Sequence, residues 1–175
     1  MDLVDLSDGD NRVRVRVRGR HAEGILPLHD LLDAEIVVES GFVRGRLRVG
    51  LCPADLASWS VVLDALDRGQ DAEWLDQGNG PVVRFEFSDD DRDCPTVLVE
   101  DASASGAYVG VPVALEGEWV EEQREHLREV ERAWPSEVLV TAPGAYEWRS
   151  GSGLGGGSGS GRGSGSGSGS GRGSS

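Results

Sequence analysis

The chain has 175 residues and a net charge of −14, with 31 acids against 17 basic residues, all of them arginine. That balance disfavours nucleic acid as a partner and favours solubility and basic proteins. All 31 acids precede Arg149, so the part before it is more acidic than the whole. Two cysteines, Cys52 and Cys94, with no Cys-x-x-Cys spacing, exclude a disulfide framework and point to thiols in a reducing cytoplasm. The N-terminus is acidic and lacks an apolar run, so no signal peptide is expected. No window approaches the ~18 apolar residues of a membrane span, so no membrane partner is expected either.

Ser7 to Asn11 is a turn cluster that precedes the first regular element. From Asn11 to Gly19 arginine and valine alternate with a period of two, which predicts a strand buried on one face. Val13, Val15 and Val17 face one way, and Arg12, Arg14, Arg16 and Arg18 the other. After a loop with His21, Gly24, Pro27 and His29, Ala34 to Glu39 reads as a second strand with Glu35 and Glu39 outward. Val43 to Val49 repeats the first pattern, with Arg44, Arg46 and Arg48 on one face. In a meander the glutamate strand lies between two arginine ladders.

Pro53 to Arg68 is a predicted helix, opened by a proline suited to the first helical position and closed at Gly69. Leu56, Trp59, Leu63 and Leu66 form its apolar stripe. Ala72 to Leu75 and Val82 to Phe87 are predicted strands of a hairpin whose turn spans Asp76 to Pro81. Ser88 to Pro95 reads as an acidic turn, Thr96 to Glu100 as a strand, and Tyr108 to Leu115 as an edge strand marked by Pro112. A second helix begins at Gly117–Glu118 and ends at Pro135. Its stripe is Val120, Gln123, Leu127, Val130 and Trp134, with Gln123 the single polar break. The pattern is an α+β fold: a mostly antiparallel sheet of six to seven strands with two helices, as one domain over 1–149. Residues 150–175 are almost only Gly and Ser and form an expected disordered tail, too poor in apolar groups to offset backbone entropy.

Candidate chemistry is sparse. Asp5, Asp8, Asp10 and Asn11 do not match the ligand spacing of a calcium loop, and Asp89, Asp90, Asp91 and Asp93 read as a solvated turn. No metal or cofactor is therefore expected. No Gly-x-Ser-x-Gly elbow or phosphate loop is present, which argues against an enzyme. A small-ligand or enzymatic module would need His21, His29 or Cys52 to converge. Cys52 lies just before a helix N-terminus, which would lower its pKa if exposed, although a buried structural thiol is the commoner case. The arginine face is an alternative anion site, built from Arg14, Arg16, Arg44, Arg46 and Arg48. Two glutamates cannot neutralise seven arginines, so the excess must meet the second helix, an acidic partner or water.

Pro53-Ala54-Asp55-Leu56-Ala57-Ser58-Trp59, Leu63-Asp64-Ala65-Leu66, Trp74-Leu75, Gly80-Pro81 and Gly117-Glu118-Trp119-Val120-Glu121-Glu122-Gln123-Arg124 carry a family likeness. Together they resemble an uncharacterised actinobacterial family of unknown function and, more distantly, WapI-type immunity proteins. The resemblance spans about residues 3 to 148 and rests on packing residues, so it implies fold more than function. It implies no catalytic residues. The distant likeness implies a small cytoplasmic protein that neutralises a toxin domain, and an acidic surface suits a basic partner. The expected partner surface is the outer face of the second helix, with Glu118, Glu121, Glu122, Glu125 and Glu129.

Overall fold

The computed structural model describes residues 1–76, 80–88 and 91–149, with 91–93 described by backbone alone. Two helices and ten strands run in the order β1 (Asp2–Ser7), β2 (Arg12–Arg20), β3 (Leu32–Glu39), β4 (Arg44–Leu51), α1 (Pro53–Asp67), β5 (Ala72–Trp74), β6 (Val82–Ser88), β7 (Asp91–Glu100), β8 (Tyr108–Pro112), α2 (Trp119–Ala133), β9 (Val138–Ala142) and β10 (Ala145–Trp148). The fold is α+β, and every strand pair is antiparallel. The strands form three sheets, ordered β1-β2-β3-β4, β5-β6-β7-β8 and β10-β9.

The arginine–valine alternation produces the predicted meander. Arg16 faces Glu35, which faces Arg48, and Arg12 faces Glu39, which faces Arg44. Between these rows Val37 sits flanked by Arg14 and Arg46. The opposite face buries Val13, Val15, Val17, Ala34, Ile36 and Val38. The sheet has one more strand than the periodicity gives. β1 escapes a period-two reading because a bulge between Asp2 and Val4 breaks its alternation. Two acids three residues apart would normally face opposite ways. The bulge puts both Asp2 and Asp5 opposite outward arginines, Arg16 and Arg14.

α1 starts at Pro53. Asp55 reaches back to accept the Cys52 N–H at 2.7 Å, and Gly69, at φ 64°, ends the helix where a left-handed residue is needed. Its predicted stripe is buried throughout. Trp59 lies 4.9 Å from the Trp74 ring and 5.7 Å from Phe85, so α1 packs its apolar stripe onto the second sheet. The buried Trp74 indole N–H donates to the Asp55 carbonyl at 2.9 Å. β8 is an edge strand, as Pro112 predicts. The stretch read as an acidic turn up to Pro95 is strand from Asp91 onward, with Asp91 paired to Ser88. The turn residues 77–79, Asp89, Asp90 and the Gly/Ser tail from residue 150 lie outside the described residues.

The β9–β10 hairpin adds two further strands, joined at Pro143–Gly144, where Gly144 has φ 78°. Proline followed by a glycine at positive φ is the signature of a tight turn. No helix among the described residues is long and apolar enough to cross a membrane.

Candidate functional site

α2 is amphipathic, with Val120, Gln123, Leu127 and Val130 buried. It is seated on β1, the edge strand of the first sheet. The buried Gln123 amide accepts the Asp5 N–H at 2.9 Å and donates to the Asp5 carbonyl at 3.1 Å. The polar break in the stripe therefore replaces the ladder partner that an edge strand lacks.

On the outside, Glu118, Glu122, Glu125 and Glu129 recur at spacings of four, three and four and so share one ridge. Glu121 and Glu125 are engaged. Arg128 binds both, Arg132 binds Glu125 at 2.6 Å, and Arg124 lies 3.6 Å from Glu121. The hydrogen bonds from Arg132 and Arg128 hold the Glu125 carboxyl below its ordinary value. Arg124 also reaches Asp64 at 2.8 Å and Asp67 at 3.4 Å, tying α2 to α1. Glu118, Glu122 and Glu129 are exposed and form no ion pair among the described residues. Beside them, where α1 ends and α2 begins, a cleft of about 870 Å³ is lined by Asp67, Phe87, Glu118, Trp119 and Glu121 among others.

The arginine face is better compensated than its sequence suggests. Asp2 and Asp5 of β1 take up two of the surplus arginines: Arg16 donates to Asp2 at 2.9 Å, and Arg12 grips Asp5 with two bonds of 2.5 and 2.7 Å. Burial alone would raise the Asp2 carboxyl, but the bond from Arg16 and the nearby charge of Arg14 outweigh it and lower its pKa. Arg44 holds Glu39 at 2.6 Å, and Arg18 holds Glu35. Arg16 and Arg44, both counted as anion-site candidates, are therefore occupied. Among the described residues the second helix neutralises none of them, because its ion pairs are made within α2 and with α1.

His21, His29 and Cys52 do not share partners. The exposed His21 pairs with Asp33 at 2.8 Å. His29 is buried; its Nδ1 accepts the Gly24 N–H at 2.8 Å, which leaves Nε2–H to donate to Glu137 at 2.9 Å. Cys52 is half-buried, and burial together with the neighbouring Asp55 raises its thiol pKa. The Ala54 and Asp55 N–H groups at the helix N-terminus work to lower it, but burial first and the Asp55 side chain second outweigh them. Asp8, one of the acids weighed as a calcium ligand, instead closes a turn by accepting the Asp10 and Asn11 N–H groups at 2.9 and 2.7 Å. Asp89 and Asp90 are outside the described residues.

A polar junction not singled out in the sequence joins the 21–31 loop to the segment after α2. Asp30 accepts the Glu137 and Val138 N–H groups at 3.0 and 2.9 Å and the Ser136 hydroxyl at 2.8 Å. It also pairs with Arg20 at 3.0 Å, both side chains being 9% exposed. Arg20 in turn donates to the His29 and Pro135 carbonyls at 2.9 and 2.7 Å. Burial works to raise the Asp30 carboxyl, and these hydrogen bonds outweigh it and lower its pKa. The Trp148 ring stands edge-on to His29 at 4.8 Å. The junction anchors the β9–β10 hairpin, and His29 is part of it.

Comparison with curated proteins finds no match, and comparison with solved structures finds none either. A family model does match, over residues 1–135, which takes in both helices and the first two sheets but stops before the β9–β10 hairpin. The chain belongs to this family, described as a family of unknown function (DUF5959).

Proposed function

We propose that this protein is a non-catalytic binding protein of a reducing cytoplasm that receives a basic protein partner on the outer ridge of α2, in the manner of an immunity protein neutralising a toxin domain. The observation that carries this reading is the set of exposed carboxylates Glu118, Glu122 and Glu129, which form no ion pair among the described residues. They stand on a helix fixed to the first sheet by Gln123 and to α1 by Arg124. A rigid ridge of unpaired charge on a chain of net charge −14 steers basic partners and orients them on encounter. The adjoining cleft offers Trp119 and Phe87 beside Glu118, with Asp67 and Glu121 shared with Arg124 and with Arg68 also in the lining.

The test is affinity capture with the full chain against the triple variant Glu118→Lys/Glu122→Lys/Glu129→Lys. These positions are chosen because reversing Glu121 or Glu125 would also break ion pairs within α2. The expected result is one basic protein retained at one-to-one stoichiometry by the parent and lost by the variant, with both melting at the same temperature. Equal retention by both would overturn the assignment of the surface.

A further inference from the structure

We propose that the outer face of the first sheet holds a binding site for a compact oxyanion, the phosphoryl group of free phosphate or of a small phosphate ester, gripped over Val37 by Arg14, Arg46 and Arg48. It uses no residue of α2 and stands on different observations from the partner ridge.

A charge census of that face locates the site. Seven arginines (Arg12, Arg14, Arg16, Arg18, Arg44, Arg46 and Arg48) share it with five carboxylates, Asp2, Asp5, Asp33, Glu35 and Glu39. Asp33 is taken by His21, and the other four carboxylates engage five arginines, Glu35 serving both Arg18 and Arg46, so two arginines go unpaired. They are Arg14 and Arg48, which form no ion pair among the described residues. Arg46 reaches only Glu35, at 3.7 Å, and Glu35 is already bound by Arg18. On a chain of net charge −14, this is a local positive surplus.

The surplus is concentrated. Arg14, Val37 and Arg46 form one cross-strand row, and Arg48 is two residues from Arg46 on the same face. Arginines on alternate strands start about 10 Å apart, and their long stems can bring both heads over the residue between them. Val37 lies on this outward face yet is only 4% exposed, so neighbouring stems already cover it. The Arg14 Nε is withdrawn from water and has no hydrogen-bond partner. A buried donor without an acceptor is a rare and costly arrangement, so little holds the Arg14 head where it lies and it is free to turn towards an oxyanion.

Guanidinium forks match the oxygen spacing of a phosphoryl group, and charge-assisted bonds to it are among the strongest available. A cleft of about 760 Å³ runs beside Arg46 and Arg48, on the side away from Arg14, lined also by Arg18, His21, Asp33 and Glu35. Its carboxylates can accept hydroxyl groups from the body of an ester. A long polyanion meets the repulsion of the whole acidic chain, whereas a compact one feels mainly the local surplus.

The test is titration of the full chain with inorganic phosphate and with ribose 5-phosphate at low salt, followed by calorimetry and by the arginine side-chain NMR signals. Saturable binding is expected. Arg14→Gln and Arg46→Gln should each weaken it at least tenfold and Arg48→Gln severalfold, while Arg44→Gln, which removes the same charge from a paired position, should change it less than twofold. Tighter binding of ribose 5-phosphate would support the site with an ester as its source, and equal affinity would support it with free phosphate. Melting temperatures of all variants separate lost binding from lost fold, and the exposed Arg48 gives a variant that leaves the core untouched. The proposal is overturned by an absence of saturable binding. It is also overturned by equal weakening from Arg44→Gln and Arg14→Gln, or by a single-stranded oligonucleotide that binds the face more tightly than either phosphate.

Discussion

The Gln123 side chain and the Asp5 backbone exchange two hydrogen bonds across 118 positions of sequence, at 2.9 and 3.1 Å. The Asp5 side chain meanwhile grips Arg12 on the outer face of the sheet. One residue of β1 thus links the helix that carries the acidic ridge to the sheet that carries the arginines. Gln123→Met keeps the volume and removes both bonds, leaving a buried N–H and carbonyl unsatisfied. The expected loss is about 2 kcal/mol in urea unfolding, with α2 still helical by circular dichroism. A loss within experimental error would mean that β1 needs no edge partner.

Asp30 is the hub of the hairpin junction. Asp30→Ala strands Arg20 in a site where its side chain is 9% exposed, and breaking such a pair costs about 3 kcal/mol. The hairpin loses its anchor first. Amides of Val138 to Trp148 should therefore exchange faster with deuterium than those of β2 and β3, and Trp148 fluorescence should shift towards that of a solvated indole. Uniform acceleration across all sheets would contradict a local role.

Acid sensitivity follows from the same group. The folded Asp30 carboxyl has a lowered pKa, as does Asp2. A depressed carboxyl stabilises the fold above its unfolded pKa, and that stabilisation is lost as pH falls through the lower folded value. Stability should therefore be nearly flat above about pH 5 and fall steadily below about pH 4. Asp30→Asn should make that fall shallower. Urea midpoints measured at half-unit pH steps check both points, and an unchanged slope would remove Asp30 from the account.

The core prediction rests on Trp59, which is fully buried against Trp74 and Phe85. Trp59→Ala should cost about 3–5 kcal/mol by lost transfer and cavity terms. Trp59→Phe should cost clearly less, measured by the same unfolding transitions.

Regular alternation made β2, β3 and β4 and their facing residues legible, because a period of two with one buried face leaves one register. The same holds for α1 and α2, whose stripes and stops are local signals. What escaped was irregular or relational. The bulge hides β1 from a period-two reading, and with it the carboxylates that neutralise Arg12 and Arg16. β9 and β10 flank the Pro143–Gly144 turn, whose two residues are the local signal of the hairpin. The Asp30 junction joins residues more than a hundred positions apart, and no local pattern encodes that pairing. Gln123 was visible as a polar break, but its purpose appears only once β1 is known to be an edge.

The central claim is that the α2 ridge receives a basic partner. Its most direct test is the association rate of the captured partner, measured by stopped flow from 25 to 300 mM salt with the parent chain and with Glu118→Lys/Glu122→Lys/Glu129→Lys. The account predicts that the parent's rate falls at least tenfold over that range, while the variant starts slow and changes little, as electrostatic steering requires. Equal rates and equal salt slopes for the two proteins would contradict it.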